Sequence, residues 1–174
     1  MIAVLSQLGI DPLETAGVLA RFRGARRRLE VKWDSDGLMV IDDYAHHPTE
    51  VRASIRALRS MGRRLTVIFQ PHRYSRTRYF FKAFGRAFDE ADEIILTDIY
   101  GAGETNCENI SVNAIYEEIL AAGHPKVQVL GKQTILKYLA SRPEAGGVIA
   151  FLGAGDIGEL ADEFTNRFKN VTAA

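Results

Sequence analysis

The stretch Leu38-Met39-Val40-Ile41-Asp42-Asp43-Tyr44-Ala45-His46-His47-Pro48-Thr49-Glu50 decides the fold class. A short apolar run feeds a polar loop, and a proline then opens an amphipathic pattern with Val51, Ile55 and Leu58 on one face. Pro48 suits a first helical position, where its missing N–H would be unpaired in any case. The stretch reads as strand end, tight loop and helix start, with two carboxylates, a phenol and two imidazoles gathered at the carboxyl end of a strand. Ligands bind at that end of open α/β sheets. The plainer reading of the same residues is a polar loop in which Asp43 caps the helix.

Working outward, strand and helix signals alternate. Leu29 to Trp33 alternates like a strand, Asp34-Ser35-Asp36-Gly37 signals a turn, and Leu38 to Asp42 completes a hairpin. A helix follows from Pro48 to about Met61, then a buried strand from Leu65 to Phe69 and a helix carrying Tyr79, Phe80, Phe84 and Phe88. Further strands are predicted at Glu93 to Thr97, Val127 to Leu130 and Gly147 to Phe151. Helices are predicted from Ser111 to Ala122, Thr134 to Ala140 and Ile157 to about Lys169. Near-continuous apolar strands alternating with helices imply an α/β, Rossmann-like three-layer domain: a mostly parallel sheet covered on both faces, with one antiparallel edge hairpin. Ahead of this, Ile2, Leu5 and Leu8 suggest a helix ended by Gly9, and Asp11-Pro12 starts a second one running through Phe22. These opening helices have no strand of their own to cover and read as the tail of something larger.

The chain has 174 residues, enough for one domain with a real core. Hydrophobic content of 47% and charged content of 25% are ordinary for a soluble globular protein. Lys+Arg and Asp+Glu are 22 each, so no overall basic field points to nucleic acid. The single Cys107 excludes an intrachain disulfide and fits a reducing compartment. No signal peptide and no apolar run near the ~20 residues of a bilayer span are evident, so a soluble, cytoplasmic protein is expected. Local charge is less even: Arg21, Arg23, Arg26, Arg27 and Arg28 fall in a predicted linker, from which one arginine could reach a phosphate across a domain cleft.

Four polar loops follow four predicted strands, and in a parallel sheet all four share one rim. That rim would hold Asp43, His46, His72, Arg73, Arg76, Asp98, Glu104 and Asp156. Arg73 and Arg76, three apart at a helix start, suit a carboxylate or phosphate; the alternative is pairing with carboxylates of neighbouring loops. Gly153-Ala154-Gly155-Asp156 is either a weak phosphate nest or a structural turn. No G-x-x-x-x-G-K-[ST] segment occurs, so the usual cradle for ATP phosphates is missing. His46 and His47 with Asp43 lack further ligands at familiar metal spacing, and no metal is expected. Nothing marks Cys107 as a nucleophile.

At these residues the chain resembles the C-terminal domain of the Mur ligases. Phe22-x-Gly24 with Arg27-Arg28-Leu29-Glu30 is similar to the family's interdomain junction, and Asp42-Asp43-Tyr44-Ala45-His46-His47-Pro48 to its C-terminal signature. Gln70-Pro71-His72-Arg73-Tyr74-Ser75-Arg76-Thr77, Asp98-Ile99-Tyr100 with Ala102-Gly103-Glu104, and Gly153-Ala154-Gly155-Asp156-Ile157 are typical of its alanine-adding members. Gly101 departs from that pattern.

The resemblance implies an ATP-dependent amide-bond-forming ligase of peptidoglycan precursor synthesis. Its partners would be UDP-N-acetylmuramate, L-alanine and ATP with Mg2+, and the phosphate loop would lie in a central domain. Residues 1–26 would be the tail of that central domain and the linker, and 27–174 the C-terminal domain. Carried over by motif, Arg28, Asp43 and His46 would meet ATP, and Tyr44, His72, Arg73 and Arg76 the amino acid and the substrate carboxylate. No catalytic residue falls in this stretch, which alone would be inactive and would bind no cofactor tightly. The readings competing with this are a Mur-type ligase adding another amino acid or a peptide, and a stand-alone nucleotide- or anion-binding module.

Overall fold

The computed structural model describes residues 2–19, 25–35, 37–142 and 147–172. After two short helices, α1 (Ile2–Gln7) and α2 (Pro12–Leu19), the elements run β1 (Glu30–Ser35), β2 (Leu38–Asp43), α3 (Pro48–Arg59), β3 (Arg64–Phe69), α4 (Tyr74–Phe84), β4 (Glu93–Leu96), α5 (Asn113–Ala121), β5 (Val127–Val129), α6 (Lys132–Ala140), β6 (Gly147–Leu152) and α7 (Ile157–Thr172). The six strands form one sheet in the order β1-β2-β6-β3-β4-β5. Only the β1–β2 pair is antiparallel, as the hairpin signal predicted; the other pairs are parallel.

Period-two alternation splits each buried strand between two cores. Ile41, Val67, Phe69, Ile94, Leu96 and Leu152 point toward α3, α4 and α5, where Val51, Ile55, Phe84 and Ile115 meet them. Val40, Ile68, Ile95 and Phe151 point the other way, onto Ile135 and Leu139 of α6 and Leu160 and Phe164 of α7. The sheet is therefore covered on both faces, which is why its strands read as nearly continuous apolar runs. Strand β6 lies between β2 and β3, yet α7 leaves it toward one face while α3 and α4 leave its neighbours toward the other. The connections part at that point, the place in such sheets where ligands bind, at the carboxyl ends of β2, β6 and β3.

Several boundaries differ from the sequence expectation. Helix α3 stops at Arg59, with Ser60 as its C-cap. Phe88 lies past the end of α4, but remains fully buried against Phe69 and Phe84. Helix α5 starts at Asn113 with Val112 as N-cap, in place of Ser111, and α6 starts at Lys132, two residues before Thr134. Gly9, at φ 78°, ends α1, and the Asp11 carboxylate accepts the Leu13 N–H at 2.8 Å as predicted for a cap. The predicted run of α2 through Phe22 ends outside the described residues. Among the described residues no helix is long and apolar enough to cross a membrane.

Candidate functional site on the carboxyl rim

Contacts join the four predicted loops along one rim. In the loop after β2, the His46 and Tyr44 rings meet nearly perpendicular with centroids 5.4 Å apart, and the His46 ring lies 5.8 Å from the His72 ring in the loop after β3. His72 in turn stacks on Tyr100 of the loop after β4, at 5.7 Å. The Gln70 amide donates to Asp156 at 2.8 Å and its carbonyl accepts the Ile157 N–H at 3.2 Å, tying β3 to the loop after β6. Lys132, at the start of α6, closes the row with an ion pair to Asp156 at 2.5 Å.

Local chemistry sets the β2 loop. His47 is the N-cap of α3: its side chain accepts the Thr49 N–H, and Glu50 reaches back to the cap's own N–H in a capping box. Capping therefore falls to His47 and not to Asp43. His46 Nδ1 donates to the Tyr44 carbonyl at 2.9 Å and lies 3.4 Å from Glu50. A carbonyl only accepts, so Nδ1 carries a hydrogen in this bond.

Asp43 sits at the rim, but its carboxylate is turned inward. It is 3% exposed, with one oxygen accepting the Leu29 N–H and the other the Ala45 N–H, each at 2.7 Å. Those bonds shape the turn out of β2. Asp42 is buried as well and pairs with Arg27 at 3.0 Å. Burial pushes the Asp42 carboxyl above the usual carboxylate range, and Arg27 pulls back against that shift. Tyr44 and Arg28 are exposed, and the Arg28 guanidinium lies 5.6 Å from the centre of the Tyr44 ring.

The β3 loop separates its two arginines. Arg73, at φ 70°, is the N-cap of α4 without a side-chain cap bond, and its guanidinium meets Glu104 at 3.3 Å. Glu104 also accepts the N–H and hydroxyl of Ser75, which hold its carboxyl below the usual range with help from Arg73. For Arg73, pairing with a neighbouring loop is therefore realised. Arg76 is different: its Nη1 is sealed from solvent without a hydrogen-bond partner, and so is His72 Nδ1. Buried polar atoms without partners are rare in folded proteins and call for an explanation.

The glycine loop is structural on its inner side. The Gly153 N–H donates to the Asp43 carbonyl at 3.0 Å, and the carbonyls of Gly153 and Gly155 both accept from Arg27. Burial opposes the charge on Asp156, but Lys132 and Gln70 outweigh it and hold its carboxyl below the usual range. Asp98 is exposed and lines a shallow cavity with Gln70, Thr97, Tyr100 and Lys132. Gly101 has a steric reason, since a Cβ there would stand 2.8 Å from the Tyr74 ring. Cys107 is exposed, and among the described residues no three His, Cys, Asp or Glu side chains gather as a metal would need. Sequence reasoning missed Arg27 as a rim residue, Gln70 as the link between loops and Tyr100 as the platform under His72. The Gln70-Pro71-His72 run was the available signal for Gln70.

Burial lowers the pKa of His72 below 6.5, Arg73 lowers it further, and Glu104 opposes them weakly. The folded state thus resists protonating this ring, while the unfolded chain protonates near 6.5. This contribution to stability is complete above 6.5 and is lost as pH falls from there through the folded pKa. His72→Gln is expected to flatten that part of the melting-temperature profile, checked by thermal melts of both proteins across that window. An unchanged slope would show that His72 is as free to protonate in the fold as outside it.

A doubly wound α/β domain with imidazoles, guanidiniums and a stacked phenol along one carboxyl rim belongs to the class that takes its ligands at that rim. Residues 27–155 match the family described as Mur ligase, glutamate ligase domain, and the chain belongs to it. It is 41% identical over 167 residues to UDP-N-acetylmuramate–L-alanine ligase of Gloeobacter violaceus, covering 95% of this chain and 36% of that protein. It is 43% identical over 166 residues to the enzyme of the same name from Trichormus variabilis, covering 93% of this chain and 33% of that protein. Among solved structures it is similar to UDP-N-acetylmuramate-alanine ligase MurC of Thermotoga maritima, with a TM-score of 0.77 and 29% identity over 98% of this chain and 36% of that one. The chain therefore spans about a third of the length of these relatives.

Proposed function

We propose that this chain is the C-terminal portion of an ATP-dependent UDP-N-acetylmuramate–L-alanine ligase of peptidoglycan precursor synthesis. Residues 1–26 belong to the junction with a central domain, and 27–174 form the domain that closes over the reacting groups. Three buried atoms on the rim lack a partner among the described residues, His72 Nδ1, Arg76 Nη1 and Thr97 Oγ1, and the first two are the observation that carries this reading. A ligand carboxylate or phosphoryl oxygen suits the Arg76 atom, and a ligand N–H or O–H suits the imidazole. Their environment explains the division of labour. The pKa of His72 is lowered, so the ring stays neutral at physiological pH and can accept a hydrogen from the amine of L-alanine. Arg76 holds the amino acid's carboxylate, and Arg73, already steadied by Glu104, borders the same site with Tyr44. Arg28 and His46 reach the nucleotide, with Asp43 acting through the loop it holds. In the ligase reaction ATP would phosphorylate the muramoyl carboxylate and leave as ADP, in a site built by residues outside this chain; the rim presents the amine of L-alanine, whose attack on the acyl carbon releases phosphate.

The test is an amino-acid panel with the full-length enzyme, UDP-N-acetylmuramate and ATP. Phosphate release should depend on L-alanine. Release driven instead by another amino acid or by a finished peptide would move the chain to a different Mur ligase activity. No dependence on any amine would remove the ligase reading.

A further inference from the structure

We infer that Arg27 is a positioning residue that locks the linker onto the rim and presets Arg28 for the nucleotide. This rests on the proposed ligase reading. The chain makes two left-handed residues within three, Arg27 at φ 54° and Leu29 at φ 46°, a costly path for non-glycine residues. Contacts on both sides of Arg28 hold that path. The Arg27 N–H donates to Glu30 at 2.7 Å, the Arg27 carbonyl accepts the Tyr44 N–H at 2.7 Å, and the Leu29 N–H donates to Asp43 at 2.7 Å.

The Arg27 side chain completes the lock. Its Nε pairs with buried Asp42 at 3.0 Å, Nη2 donates to the Gly153 carbonyl at 2.7 Å and Nη1 to the Gly155 carbonyl at 3.1 Å. One guanidinium thus joins the linker, the end of β2 and the glycine loop after β6. Gly158 in the first turn of α7 supplies the room: a Cβ there would stand 2.9 Å from Asp42 Oδ2 and 3.0 Å from the Arg27 guanidinium carbon. Arg28, held between two fixed residues, has an exposed side chain that lies over the Tyr44 ring. A flexible linker would have to order Arg28 on binding; here the ordering is done in advance.

The test is a double-mutant cycle in the full-length enzyme, reading kcat and KM for ATP, with KM for L-alanine as control. Arg28→Ala is expected to lower kcat/KM for ATP about 10- to 100-fold, the range of one charge-assisted hydrogen bond. Arg27→Ala should cost a similar factor, mainly in KM for ATP, and little more once Arg28 is already alanine. Arg27→Lys should not rescue, because an ammonium cannot reach both glycine carbonyls while pairing with Asp42. Gly158→Ala wedges the pair apart with both charges retained and should reproduce the ATP effect; it carries the cycle if Arg27→Ala does not fold. Additive losses, or equal losses in the ATP and L-alanine constants, would overturn the inference while leaving the ligase reading standing. Wild-type ATP kinetics in Arg28→Ala would remove the nucleotide role of Arg28 and this inference with it, and a panel showing no ligase activity would be a separate failure.

Discussion

Replacing Arg76 with lysine is expected to lower kcat/KM of the full-length enzyme by roughly two to three orders of magnitude, nearly as much as alanine does. The reason is the buried Nη1, which has no hydrogen-bond partner among the described residues and on the proposed reading gains one from the substrate. A guanidinium meets a carboxylate through two parallel N–H bonds from a planar fork, and an ammonium cannot reproduce that geometry. Truncating one side of a desolvated charged pair costs about 2–5 kcal/mol, which gives the magnitude. Arg73→Lys should cost less, because Arg73 already spends part of its fork on Glu104 at a more exposed position. The fold should be spared in both, as neither side chain belongs to the apolar core. Steady-state kinetics and thermal melts separate the outcomes. Wild-type turnover in Arg76→Lys, or loss of the fold without this arginine, would make it structural.

Asp43→Ala is expected to act on the fold first. Both carboxylate oxygens of Asp43, itself 3% exposed, are engaged by backbone N–H groups, so alanine leaves the buried Ala45 donor and the partly buried Leu29 donor unpaired. Each such orphan costs about 1–3 kcal/mol, and the melting temperature of a domain this size falls about 2–4 °C per kcal/mol. A drop of roughly 5–15 °C is expected, with Asp43→Asn milder because one acceptor survives. In the full-length enzyme the same change should weaken use of ATP more than use of L-alanine, since the Leu29 end of the linker comes loose beside Arg28. An unchanged melting temperature would contradict the inward placement of this carboxylate.

The fold was legible because its signals are local. Strands buried on both faces must be apolar at successive positions, and the runs Leu65 to Phe69 and Gly147 to Phe151 were read as strands on that ground. The rim was legible by the same logic, because parallel strands send all their following loops to one end. Sequence could not say which polar side chain on that rim turns inward. Asp42 and Asp43 look equivalent in the chain, yet one pairs with Arg27 and the other is taken up by two backbone N–H groups. Arg27 and Arg28 look equivalent too, yet their roles are divided by contacts to Gly153 and Gly155, more than a hundred residues away. Gly158 reads as a poor helix former until the ion pair beside it is seen. The cap of α3 was read on Asp43 and falls to His47 instead, because a capping box depends on a side-chain rotamer that no spacing reveals.

The most direct measurement is a structure of the full-length enzyme closed on an ATP analogue, UDP-N-acetylmuramate and L-alanine. The carboxylate of L-alanine is expected within hydrogen-bond reach, about 3 Å, of Arg76, with its amine facing His72 and Arg28 against the nucleotide phosphates. An amino acid bound away from this rim, or a closed state in which Arg76 and His72 still lack partners, would contradict the site assigned to this domain.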